Sequence, residues 1–177
     1  CDEIQPAVTT DGVDFLVTWA CGGDIHARAY ASETGLPVSE PVQLNTLSGD
    51  DSKPSAWPAA AWTGNHYTVA WEQATTAANR DLYAVQLTAA ADPIPGAAGA
   101  LAATTLDESA PQIAYLPDTG DSLLVYLSPG TIEGTLLTDS SLDTANHTGV
   151  HIAGLDGANA VHQPKVAYDP RLDGWMV

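Results

Sequence analysis

Pro58-Ala-Ala-Ala61-Trp62, then Thr63-Gly64-Asn65, then Tyr67-Thr-Val69-Ala-Trp71 is the stretch that decides the fold. In its second half a large apolar residue, a valine and an aromatic occupy every other position. Strand side chains alternate between faces, so Tyr67, Val69 and Trp71 form one apolar stripe. Gly64 and Asn65 supply the backbone freedom that a tight hairpin turn requires. The stretch therefore reads as two antiparallel strands joined by a turn.

The same reading recurs along the chain with a period slightly above fifty residues. Pro6, Pro58, Pro111 and Pro164 open four equivalent first strands: Pro6-Ala-Val-Thr9, Pro58-Ala-Ala-Ala61, Pro111-Gln-Ile-Ala114 and Pro164-Lys-Val-Ala167. The second strands align as Phe15-Leu-Val17-Thr-Trp19, Tyr67 to Trp71, Leu123-Leu-Val125-Tyr-Leu127 and Trp175-Met-Val177. The turns between them hold Asp11-Gly12, Thr63-Gly64-Asn65, Asp118-Thr-Gly120 and the run from Asp169 to Gly174. Third strands follow at Asp24–Tyr30, Asp81–Leu87 and Thr131–Leu137, with small residues aligned at Ala27, Ala84 and Gly134. Weaker fourth strands are expected near Val42 to Leu44, Leu101 to Thr104 and Val150 to Ala153. The Ala-rich tract from Ala89 to Ala103 is interrupted by Pro93, Pro95, Gly96 and Gly99, and reads as loop and short strand.

Four antiparallel strands in about fifty residues, repeated, describe the blade of a β-propeller. Ig-like sandwich modules are usually nearer 100 residues. The expected fold is all-β, with three complete four-stranded blades and the first two strands of a fourth. The chain is expected to be one partial propeller domain over 1–177, with blades at about 4–52, 55–107, 109–160 and 162–177. Because the fourth unit ends within its second strand, the expectation is an open ring. The remaining part of the same propeller, or a complementing protein chain, would close it.

The pattern P-x-V-A-[YW], a Gly-containing turn, [FYW]-x-V-x-W and then D-[IL]-x-A resembles repeats of secreted bacterial β-propellers, which are similar in architecture to sialidase blades. The resemblance covers essentially the whole chain and implies a shape and a secreted setting. It implies no reaction, because one scaffold carries many functions. The Ser-x-Asp-x-Gly-x-x-Trp box of sialidases has no intact match, and the Gly-His…Trp-Asp signature of WD40 repeats is missing.

Composition narrows the partners. The chain holds 22 Asp and Glu against five Lys and Arg, a formal net charge of −17. Such a surface repels polyanions, so nucleic acid is excluded as a partner. No run of residues has the length and apolarity of a transmembrane segment. A hairpin around Asp11-Gly12 brings Cys1 near Cys21, so a disulfide is expected, which favours an oxidising compartment. Lipid modification of Cys1, as in a bacterial lipoprotein, is the competing reading. The expected location is extracellular or at the cell surface, any targeting segment having been removed or lying outside the chain.

Candidate chemistry is sparse. No Gly-x-Ser-x-Gly occurs, and His26, His66 and His162 read as strand, turn and inter-strand residues. His147 and His151 share a strand face but stand roughly 13 Å apart, too far for one zinc ion. Glu72 ends a second strand where its expected counterparts, Ala20 and Ser128, are not acidic, which makes it the one carboxylate to test for glycoside chemistry. Calcium is the one ion left open, with Asp118, Asp121, Asp169 and Asp173 in acidic turns and a further acidic run at Gly49-Asp50-Asp51. Trp62, Trp71, Tyr115, Tyr168 and Trp175 occupy repeat positions and read as inter-blade core. Trp57 and Tyr30 are less constrained and are the candidate ligand-binding aromatics.

Repeat positions thus account for nearly every conspicuous residue. The expectation is a non-enzymatic propeller that binds protein or serves a structural role, without a cofactor. The alternative is a carbohydrate-active propeller, a glycoside hydrolase, lyase or lectin, whose site lies partly in further blades.

Overall fold

The computed structural model describes residues 1–47, 52–154 and 163–177. Blade one consists of β1 (Glu3–Thr10), β2 (Asp14–Cys21), β3 (Asp24–Ala31) and β4 (Val42–Gln43). Blade two holds β5 (Ser55–Trp62), β6 (Tyr67–Thr76), β7 (Asn79–Leu87) and β8 (Pro93–Ala102). Blade three holds β9 (Ser109–Leu116), β10 (Asp121–Ser128), β11 (Thr131–Leu137) and β12 (His147–Gly154). The fourth unit contributes β13 (Ala167–Asp169) and β14 (Gly174–Met176).

Each four-stranded sheet is an antiparallel meander in sequence order, and β13 and β14 form a hairpin. The first strands β1, β5, β9 and β13 lie successively against one another, so they line the shared axis. This is a partial β-propeller.

The core lies between blades. Tyr67, Val69 and Trp71 of blade two are fully buried against Leu16, Ala20, Ile25, Ala27 and Ala29 of blade one. Large side chains on one face thus meet small ones on the next sheet, which lets the sheets pack closely. Ala59, Ala70, Leu82 and Ala84 of blade two likewise receive Ile113, Leu124 and Leu137 of blade three. Trp62 is half-buried at the edge of the first of these cores, while Tyr115, Tyr168 and Trp175 are also half-buried.

Two strand assignments differ from the sequence reading. The Ala-rich tract forms a ten-residue outer strand, β8, rather than loop and short strand. An outer strand pairs on one side only, so Pro93 and Pro95 need leave no ladder bond unmade. In blade three the apolar stripe is shifted by one residue. Thr10 pairs with Phe15 and Trp62 with Tyr67 across four turn residues, whereas Tyr115 pairs with Ser122 and Tyr168 with Trp175 across six. The extra two residues keep the faces in phase. Leu124 and Tyr126 therefore turn toward blade two, and Leu123 and Val125 toward the opposite side.

The hairpin over β1 and β2 pairs Glu3 with Cys21, and Cys1 and Cys21 form a disulfide with their Cα atoms 5.7 Å apart. Among the described residues, no helix is long and apolar enough to cross a membrane.

Candidate functional site

The three complete blades begin with the same backbone device. Gln5, Trp57 and Ala110, each immediately before a proline, have φ of 54°, 53° and 53°. Non-glycine residues seldom adopt this left-handed conformation, and proline restricts the residue before it further. At each position the ladder with the second strand shifts register, which marks a β-bulge. The bulge opens the first strand and turns its N–H groups toward the preceding blade. Trp57 donates its N–H to Gln5 Oε1 at 3.0 Å, and Ala110 donates to Glu72 Oε2 at 2.8 Å.

Glu72 is held on both sides. Its Oε1 accepts from an Arg80 guanidinium nitrogen at 2.9 Å, while the side chain is only 5% exposed. Arg80 also forms a two-pronged pair with Asp107, at 2.8 Å and 2.6 Å. Hydrogen bonding from Arg80 holds the Asp107 carboxyl below its ordinary range, and the Asp107 hydrogen bond raises Arg80. Glu72, Arg80, Asp107 and the Ala110 amide thus tie blade two to the entrance of blade three. The register also corrects the counterpart of Glu72 in blade three. Glu72 opposes Leu82, Ala20 opposes Ile25 and Leu127 opposes Ile132, so the equivalent residue is Leu127 and not Ser128.

Above this tie, at the entrances of blades two, three and four, lies a cavity of about 230 Å³. Trp57, Ser109, Ala110 and Gln163 contribute from the blade entrances, and Glu72, Arg80 and Leu127 from the second and third strands. Trp57 is 39% exposed, and the Arg80 side chain 40%. The lining therefore places an exposed tryptophan beside an arginine, a serine and a glutamine, with Glu72, Ala110 and Leu127 completing it. An aromatic plate ringed by hydrogen-bonding groups suits a ligand with both apolar and hydroxylated faces.

Of the sequence candidates, Trp57 and Glu72 come together here. Tyr30 does not. It stands on β3 under the Arg28 guanidinium, 5.8 Å from its ring centre, beside a separate cavity of about 310 Å³ that Val17 and Trp19 also line. Asp121 accepts the Asp139 N–H, and Asp169 is buried in a two-pronged pair with Arg171 that keeps its carboxyl below the usual range. Asp118, Asp169 and Asp173 all lie near Tyr168, whose hydroxyl is raised by desolvation and then by these charges. Among the described residues, no group of three or more His, Cys, Asp or Glu side chains is placed to hold a metal ion.

His66 lies in the β5–β6 turn, where burial lowers its pKa. His26 stacks on Trp19, and His151 bonds Glu133. His147 bonds the Ser141 carbonyl oxygen, away from His151. His162 and the Gly49-Asp50-Asp51 run lie outside the described residues.

Sequence reasoning missed Arg80, Asp107, Ser109 and Gln163. Arg80 is one of only five cationic residues, and that rarity was the available signal.

No protein-family profile matches the chain, and no curated protein matches it. Among solved structures it is similar to an alpha-L-arabinofuranosidase from Clostridium thermocellum, at 13% identity and a TM-score of 0.62. That match covers 98% of this chain and 59% of the arabinofuranosidase chain, so the chain spans about three-fifths of its length. A subtype N10 neuraminidase-like protein of A/little yellow-shouldered bat/Guatemala is 8% identical over 84% of this chain and 59% of that chain. Its TM-score is 0.44, too slight to argue from. The first likeness shows the fold.

Proposed function

We propose that this chain is the saccharide-binding part of a carbohydrate-active β-propeller, secreted or displayed at a cell surface. The observation that carries this reading is Trp57, an exposed indole at the axial mouth beside Arg80, Ser109 and Gln163. A sugar ring presents a C–H face to such a plate and hydroxyls to its rim. The arabinofuranosidase supports the choice of ligand class, since its scaffold serves a carbohydrate substrate. The Cys1–Cys21 disulfide supports an oxidising compartment.

The role assigned to this chain is binding rather than turnover, which keeps the non-enzymatic side of the sequence expectation. Glycoside hydrolysis ordinarily needs two carboxylates flanking the bond. Glu72 is the one carboxylate among the described residues lining the cavity, and both its oxygens are engaged. Hydrolysis would draw its acid and base from further blades, supplied by the rest of the same propeller or by a complementing chain.

A glycan array combined with a panel of chromogenic glycosides tests this reading. Saturable binding to one saccharide class is expected, with Trp57→Ala weakening it about tenfold and Tyr30→Ala leaving it unchanged. Binding of unchanged affinity in Trp57→Ala, or turnover by this chain that Glu72→Gln abolishes, would overturn it.

A further inference from the structure

Arg80 is the one cation among the described residues that line the cavity at the axial mouth, and it is already paired. Its guanidinium faces two carboxylates, Glu72 at 2.9 Å and Asp107 at 2.6 Å. One positive charge thus stands against two negative ones, and the network carries an excess of negative charge. Asp107 stays ionised, because hydrogen bonding from Arg80 holds its carboxyl below the ordinary range.

A guanidinium carries five N–H donors. The bonds to Asp107 use the Nε–H and one N–H of a terminal nitrogen, and the bond to Glu72 uses one N–H of the other, so two N–H groups remain. They belong to a residue that lines the cavity and whose side chain is 40% exposed. A sugar hydroxyl can accept from them with no change in net charge. A ligand carboxylate could accept the same bonds, but Glu72 and Asp107 would offset its attraction to Arg80. It would lose water and gain no counter-charge. The net charge of −17 adds a repulsion at longer range.

We propose that Arg80 restricts the cavity to uncharged saccharides. Its two remaining N–H groups donate to sugar hydroxyls, while Glu72 and Asp107 turn away uronates, sialates and other acidic sugars. This assignment rests on the saccharide-binding reading of the same cavity and names the ligand class.

An array carrying both neutral glycans and glycans ending in uronate or sialate, probed at low and high ionic strength, provides the test. The best-bound acidic glycan is expected to bind at least about tenfold more weakly than the best-bound neutral one. Affinity for the neutral glycan should change less than about twofold with salt, since no charge pairs across the contact. Asp107→Asn leaves Arg80 facing one carboxylate and should narrow the gap between acidic and neutral glycans about threefold. The wild-type comparison and its salt response need no variant, so they decide the matter even where Asp107→Asn folds poorly. An acidic glycan bound as tightly as the neutral one would overturn the proposal and leave the saccharide reading standing. So would an unchanged gap in folded Asp107→Asn. Binding to no glycan of either kind would remove the saccharide reading and this proposal with it.

Discussion

Glu72 and Ala110 meet across the boundary between blades two and three, the carboxylate accepting the backbone N–H of the left-handed bulge residue at 2.8 Å. An N–H turned out of its own ladder by a bulge needs an acceptor, and Glu72 supplies one from the preceding blade. The same need is met at Trp57 by Gln5. Glu72 is therefore a strut of the scaffold.

Removing that strut has a defined cost. Glu72→Ala leaves the Ala110 N–H without its partner and is expected to cost about 1–3 kcal/mol. Glu72→Gln retains an acceptor and should cost less. Urea unfolding midpoints of the two variants check the order. Equal stability of Glu72→Ala and wild type would show that the bond contributes nothing.

Equivalent tryptophans should behave differently. Trp71 is fully buried between blades one and two, whereas Trp19, at the matching position, faces the uncovered side. Trp71→Ala is expected to cost about 3–5 kcal/mol, and Trp19→Ala about 0.5 kcal/mol in the monomeric chain. Denaturation of both at low protein concentration separates them. Similar losses would mean that the face of blade one is covered.

Two adjacent acids should give opposite pH responses. Asp107 is held below its ordinary value by the Arg80 hydrogen bond. Its contribution is complete above the unfolded value and is lost as pH falls through the folded one. Glu108 is raised by burial, so the folded state binds its proton more tightly than the unfolded chain does. Stability therefore declines as pH rises from the unfolded value through the raised folded one. Unfolding midpoints over a pH series should show Asp107→Asn removing the acid-side loss and Glu108→Gln removing the decline. An unchanged profile in Glu108→Gln would remove burial as the cause.

The Cys1–Cys21 bridge closes a segment with a sequence separation of 20 and anchors β1, whose outer face is largely exposed. Reduction should cost about 3 kcal/mol. Equilibrium unfolding with and without a reductant measures it, and an unchanged midpoint would show that β1 is held by strand pairing alone.

The architecture was legible because Pro6, Pro58, Pro111 and Pro164 keep their period and because aromatic and valine residues alternate on one face. What misled was local. The hairpin turns before Ser122 and Trp175 are two residues longer than those before Phe15 and Tyr67, and matching Leu123 to Tyr67 by residue type reversed the faces of β10. Pro93 and Pro95 obscured β8, because sequence does not reveal which strand will be an edge. At the site, Trp57 and Glu72 stood out as single residues. Their meeting with Arg80 and Gln163 depends on how consecutive blades abut, which no local pattern encodes.

Calorimetric titration of a saccharide identified on the array into wild type, Trp57→Ala and Glu72→Gln bears most directly on the central claim. Trp57→Ala should bind about tenfold more weakly, while Glu72→Gln binds within about twofold of wild type. Full binding by Trp57→Ala would contradict the assignment of the axial mouth as the ligand site.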